Sequence, residues 1–248
     1  MSGGEDASGL LGAVRAWGRE ALDLLLPRGC AGCDAPDETL CPSCRALFGD
    51  CRRWTLSGRG VPCFACADYR AAARAAILGW KDHDDVELDR VFAPCMADLV
   101  RASGVAGMLR DPGARVLVVP APSSAASLRR RGRAHVRPLT QAVVAELTGE
   151  GVRVRSADAL RVNGVRSKSV ETRGIRGRMN RLDGRIGVSP RAGVAGATVL
   201  LVDDIVTTGA TLSRCVDAIR TAGGRVAAAF ALAHTPPPGR GISGISAA

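Results

Sequence analysis

Residues 199–212 read VLLVDDIVTTGATL, a greasy run that ends in two adjacent acids, Asp203 and Asp204, then a loop of hydroxyls and an apolar-periodic segment. A continuous apolar, β-branched run is the mark of a strand covered on both faces, as in a parallel sheet flanked by helices. In such a sheet ligands sit beyond the carboxyl ends of the strands, which is where the two acids stand. Gly209 permits a tight turn, so successive N–H groups can point inward. Thr207, Thr208 and Thr211 add hydroxyl donors, and the N-terminus of the next helix contributes about half a positive charge. The acids would repel a phosphate set against them, but one sugar-length away they can accept hydrogen bonds from vicinal hydroxyls. Acids and cradle together describe a 5-phosphorylated ribose. The spacing is not that of a Walker P-loop, because Gly-x-x-x-x-Gly-Lys is absent. The competing reading is a capped helix after a strand, with Asp and Thr as ordinary turn formers.

Two other stretches match this strand. RVLVVPAP (115–122) is a buried strand that stops at prolines, and RVAAAFALAH (225–234) is a last strand. Between and around them lie helical segments: an Ala-rich helix ending near Trp80, LDRVFAPCMADLVRAS with Pro94 as a break point, residues 139–147, and residues 210–224 with Leu212, Cys215, Val216 and Ile219 on one face. VRVRSADALRV (152–162) alternates like an edge strand. Strand–helix–strand alternation predicts a mostly parallel α/β sheet. The expected divisions are residues 1–9 disordered, 10–50 an amphipathic helix and a Cys-rich module, 51–68 a linker (51–62) running into a first strand, 69–235 the α/β domain, and 236–248 a disordered tail.

The chain carries a net charge of +10. Residues 129–191 hold 16 Lys plus Arg against five acids, a net of +11, so one segment accounts for the whole excess. A concentrated positive field suits a phosphorylated small molecule or a nucleic acid; a solvated Arg-rich surface is the plain alternative. The apolar run of residues 10–26 is interrupted by Arg15, Arg19, Glu20 and Asp23. It therefore reads as an amphipathic helix of a cytoplasmic protein without membrane insertion. CAGCDAPDETLCPSC places Cys30, Cys33, Cys41 and Cys44 in two Cys-x-x-Cys pairs, the four thiolates that tetrahedral zinc requires. Cys63 and Cys66 could replace the second pair, and a redox dithiol or buried reduced thiols are the other readings. Cys95 and Cys215 fall in helices as core residues.

VLLVDDIVTTGAT resembles the 5-phosphoribosyl-1-pyrophosphate (PRPP) signature of type I phosphoribosyltransferases. Taken with the Cys-x-x-Cys knob and VVPAPSSAASLRRRGR, the chain over roughly residues 20–235 resembles the ComF family. The resemblance implies a Rossmann-like, parallel-sheet type I phosphoribosyltransferase-like domain preceded by a small zinc module. It places the ribose hydroxyls on Asp203 and Asp204, and the 5-phosphate on Val206, Thr207, Thr208, Gly209, Ala210 and Thr211. The pyrophosphate would meet Ser123, Arg129, Arg130, Arg131 and Arg133, with Lys81 reaching a phosphate. Residues 163–180 would be the flexible loop, with Arg166, Lys168, Arg173 and Arg178. Magnesium would accompany PRPP. The family continues Arg-Gly-Phe-Asn-Gln where this chain has Arg131-Gly132-Arg133-Ala134-His135, so that contact differs in detail. The implied reaction displaces pyrophosphate from ribose C1, but no residue stands out as the base and no acceptor is identifiable. The alternative is a non-catalytic sensor or scaffold, since ComF-like proteins are associated with natural competence, single-stranded DNA uptake, and helicase-like and DNA-processing partners.

Overall fold

The computed structural model describes residues 29–82, 85–111, 113–123, 129, 132–163 and 185–236. Six strands form one sheet in the order β1 (Arg52–Leu56), β2 (Val61–Asp68), β8 (Arg225–His234), β7 (Thr198–Val206), β3 (Val116–Pro120) and β4 (Val154–Ser156). All neighbours run parallel except β1, which pairs antiparallel with β2. A separate antiparallel ribbon joins β5 (Leu160–Asn163) to β6 (Arg185–Val188). The described helices are α1 (Pro42–Ala46), α2 (Ala71–Asp82), α3 (Asp89–Ser103), α4 (Arg137–Gly149) and α5 (Ala210–Thr221). Among the described residues, no helix is long and apolar enough to cross a membrane.

Strand periodicity sorts β7 into two cores, because successive side chains point to opposite faces. Leu200 and Val202 pack under α2, α3 and α4 with Trp80, Phe92, Met96 and Leu139. Val199 and Leu201 pack on the other side against α5 and the β5–β6 ribbon, with Leu212, Cys215, Val216 and Ile219. The few aromatics concentrate on the first face: Phe48, Phe64, Trp80, Phe92 and Phe230 all belong to it. Phe92 touches both Phe48 (ring centroids 4.9 Å apart) and Trp80 (5.4 Å). Helix α3 runs through Pro94 without breaking. The proline ring forfeits the hydrogen bond to the Arg90 carbonyl, but burial of Phe92, Met96, Leu99 and Val100 holds the helix on both sides of it.

Three expectations change. Residues 52–56, expected within a linker, are strand β1, which turns through residues 57–60 into β2. Residues 152–162, expected as one edge strand, are two: β4 is the edge of the main sheet, and β5 leaves it for the ribbon after a bend at residues 157–159. The Cys-rich knob shares its core with the sheet domain, since Cys30, Leu40, Cys44 and Phe48 bury into the α2–α3 face. Thr39 also donates a hydrogen bond to Glu87 (3.1 Å). The helix expected over residues 10–26 and the disordered segment 1–9 lie outside the described residues, as does all but the first residue of the expected tail.

Candidate functional site

After β3 the chain continues to α4 on one face of the sheet; after β7 it continues to α5 on the other. Neighbouring parallel strands whose connections diverge in this way open a crevice at their carboxyl ends, the usual ligand position in such sheets. The last pair between β3 and β7 is Pro120 with Val202, yet β7 runs on to Val206 with only β8 beside it. Asp203 and Asp204 therefore stand above the point where β3 stops.

The loop after β7 is shaped as an anion cradle. Gly209 caps α5 at φ +73°, so the backbone reserves the position for glycine, while a Cβ there, 2.9 Å from Leu56 Cδ1, would only require the Leu56 side chain to shift. Thr208 Oγ1 accepts the Ala210 N–H (3.3 Å). Among the described residues, no acceptor takes the amides of Thr207, Thr208, Gly209 or Thr211. Thr207, Thr208 and Thr211 are exposed. Unused N–H groups at a helix N-terminus favour negative charge.

The two acids differ. Asp204 shares the Leu200–Val202 face and is buried: its side chain is 6% exposed. Its Oδ2 meets His135 Nε2 at 2.7 Å and is ion-paired with Lys81 Nζ, and its Oδ1 accepts the Ile205 amide at 2.7 Å. Burial pushes its carboxyl up, but the His135 hydrogen bond and the Lys81 charge outweigh burial and hold it well below the usual carboxylate range. Asp203 faces α5. Its Oδ1 accepts the Asp204 amide at 2.9 Å, and no protein donor is found for Oδ2 among the described residues. Burial first, and the Asp204 charge second, push the Asp203 carboxyl well above its ordinary range.

Behind Asp204 lies a second polar layer that the sequence reading did not single out. Trp80 Nε1–H donates to Asp89 Oδ1 (2.6 Å). Arg133 Nη1 donates to both Asp89 oxygens (2.9 and 2.8 Å), and Arg133 Nη2 donates to the Trp80 carbonyl (3.2 Å). His135 meets the Trp80 ring edge-on, with centroids 5.1 Å apart. Lys81 and Arg133, expected on the pyrophosphate, are thus engaged inside the protein, with Asp204 and Asp89. Ser123 sits just past the end of β3, half-buried, and Arg129 is exposed. Arg130, Arg131 and the flexible-loop residues Arg166, Lys168, Arg173 and Arg178 lie outside the described residues.

The four knob cysteines converge as their spacing predicts. The ligand atoms of Cys30, Cys33, Cys41 and Cys44 all lie within 4.8 Å of one another. Zn–S bonds of about 2.3 Å set tetrahedral sulfurs about 3.8 Å apart, and Cys33 Sγ to Cys41 Sγ is 3.6 Å. The amides of Cys41 and Gly32 donate to Cys30 Sγ (3.3 and 3.4 Å). Burial raises the Cys30 thiol, but these amides bring it down to about 6, a value suited to a thiolate ligand. Cys63 and Cys66 are not part of the cluster. They face opposite sides of β2, one in each core, and Cys66 donates to the Cys95 carbonyl (3.5 Å).

The family model described as the phosphoribosyl transferase domain matches residues 130–240, which span the β3–α4 loop, α4, the crevice loop and β8. No curated protein matches. Among solved structures, the chain is similar to a hypoxanthine phosphoribosyltransferase from Staphylococcus aureus (12% identity, 57% of this chain and 64% of that one, TM-score 0.35). It is also similar to a hypoxanthine phosphoribosyltransferase from Trypanosoma cruzi complexed with the product IMP (14%, 60% and 70%, 0.38). A third likeness is to a phosphoribosylpyrophosphate synthetase from Mycobacterium smegmatis (20%, 55% and 33%, 0.29). The chain thus spans less than two thirds of the Staphylococcus aureus protein.

Proposed function

We propose that the crevice binds PRPP, and that the protein is a ComF-type phosphoribosyltransferase-like protein with a structural zinc knob. One observation carries this reading. The exposed hydroxyls of Thr207, Thr208 and Thr211, and the amides of Thr207, Thr208, Gly209 and Thr211 that no described residue accepts, follow directly on Asp203, whose Oδ2 has no donor among the described residues, at the switch point of a parallel sheet. Free amides and hydroxyls suit a phosphate, and an open carboxylate oxygen suits a sugar hydroxyl. Ser123 follows the end of β3 by three residues and Arg129 is exposed, and both would meet a pyrophosphate under this reading. Magnesium travelling with PRPP would shield the pyrophosphate charge. This chain's own share is to anchor the 5-phosphate and to orient the ribose. Phosphoribosyl transfer to an acceptor, with release of pyrophosphate, is the reaction such a complex is arranged to support. In the knob, zinc would sit among Cys30, Cys33, Cys41 and Cys44; four thiolates leave no open coordination position, so its role there is structural.

Titration calorimetry with PRPP and Mg²⁺ tests the pocket. Wild-type protein should bind, and Asp203→Asn should weaken binding about tenfold or more, a loss of about 1.4 kcal/mol per decade. Equal affinity for both proteins would remove the reading. A second reading, single-stranded DNA binding with competence-related helicase or DNA-processing partners, rests on the +11 surplus of residues 129–191. Phosphate contacts made in series lower log K with log salt by about 0.7 per contact on single strands. A titration whose slope stays at zero would reject that reading.

A further inference from the structure

The crevice holds a feature that PRPP binding alone does not call for. A carboxylate offered to a sugar needs accessible acceptor sites, yet both oxygens of Asp204 already accept contacts within the protein, three in all, and the group is buried. Oδ1 accepts the Ile205 amide, and Oδ2 is shared by His135 and Lys81. Its side chain is 6% exposed, and that of His135 is 3% exposed. The contacts come from three separate parts of the fold: the last turn of α2, the loop before α4, and β7 itself. Freeing Asp204 for a ligand would strand a half-buried ammonium and a buried imidazole N–H, the latter especially costly to leave unpaired. Asp203, one residue earlier and on the opposite face, keeps Oδ2 unclaimed by the described residues and is half-buried, not sealed.

We infer that the paired acids divide the work, with Asp204 serving as a buried anchor held by the positioning residues His135 and Lys81, and Asp203 as the carboxylate that meets the sugar. The anchor ties α2 and the β3–α4 loop to the end of β7, and so fixes the mouth of the crevice. The second polar layer supports it. Asp89 holds Arg133 two residues before His135, and Trp80 packs against His135 from one residue before Lys81. Among the described residues, His135 Nδ1 is buried and meets no partner, and the Nε2 donation to Asp204 is its one hydrogen bond, so its use there is to orient Asp204. The identification of the sugar rests on the PRPP reading above; the anchoring of Asp204 does not.

Carbodiimide coupling of an amine to carboxyl groups, read by peptide fragmentation, separates the two acids in the full-length protein. Asp203 should label about tenfold faster than Asp204, the factor that 1.4 kcal/mol of local opening free energy yields. His135→Ala and Lys81→Met should bring the two rates together. His135→Gln, which keeps a side-chain N–H for Asp204, should restore the difference; a merely space-filling role for His135 would give no such rescue. PRPP with Mg²⁺ should protect Asp203. Equal labelling of both acids in the wild type, or an Asp204 still spared in both folded variants, would overturn the inference. Should a variant fail to fold, the wild-type ratio alone decides. Selective labelling that PRPP does not suppress sinks the PRPP reading and leaves the anchor standing.

Discussion

Asp204→Ala should be the most destabilising single change in the crevice, lowering stability by about 3–5 kcal/mol, the usual result of removing one partner of a buried ion pair. At about 2–4 °C per kcal/mol for a chain of this size, the melting temperature should fall by roughly 6–20 °C. The loss comes less from the missing attraction than from what remains. Lys81, 20% exposed, keeps its charge without a partner, His135 keeps a buried N–H without an acceptor, and the Ile205 amide loses its oxygen. The pH dependence has a definite sign. The Asp204 carboxyl lies below its ordinary range, so its contribution is complete above the unfolded value near pH 4 and disappears as pH falls through the folded value. The wild type should therefore lose its advantage over Asp204→Ala only in strong acid. Asp203→Asn is the control. The Asp203 carboxyl is raised, so its ionisation works against the fold above the ordinary carboxylate range, and removing the charge should leave stability unchanged or higher at neutral pH. Thermal unfolding of the three proteins from neutral pH down into strong acid checks both signs. If Asp204→Ala melts with the wild type at neutral pH, the buried network is not there.

What could be read without coordinates follows from how each residue's surroundings are set. β3, β7 and β8 were legible because burial on both faces demands an unbroken apolar run, and such a run is visible in composition. The turn after β7 was legible because its determinants are local: a glycine, three threonines and a helix start, all within five residues. β1 was hidden because an edge strand needs only one covered face. In Arg52–Leu56 the positions most turned inward, Trp54 and Leu56, sit between polar neighbours that look like a linker. The protein partners of the two cations were illegible for a different reason. Lys81 and Arg133 have side chains long enough to reach several partners, and the choice was made by Asp204 and Asp89, which lie 123 and 44 residues away in sequence. No local pattern records such a choice. His135 was missed for the same reason, since its partner Asp204 lies 69 residues away.

Stripping the knob of metal should have the other large effect, because zinc bound by four thiolates contributes folding free energy directly, about 10–16 kcal/mol in isolated zinc-binding peptides. Here the consequence should spread beyond the knob. Cys30, Cys44 and Phe48 are part of the same core as Trp80 and Phe92, and Phe48 packs on Phe92 in a tilted pair. Loss of the knob would therefore uncover the helical face that carries Lys81 and the wall behind His135. The protein should purify with one zinc per chain, and Cys44→Ala should abolish that zinc while lowering the melting temperature by more than 10 °C, given that whole domains of this kind hold only about 5–15 kcal/mol in reserve. Exhaustive chelation of the wild type should reproduce the loss, and added zinc should reverse it. Cys63→Ala distinguishes the two candidate ligand sets: Cys63 faces the opposite core, so this variant should keep its zinc and lose only the packing of one buried sulfur. A purified protein free of zinc, whose melting point a chelator does not move, would make the four cysteines reduced neighbours and nothing more. The crevice would then be held in shape by the Asp204 network and by the aromatic packing of Phe48, Phe92 and Trp80, with no metal involved.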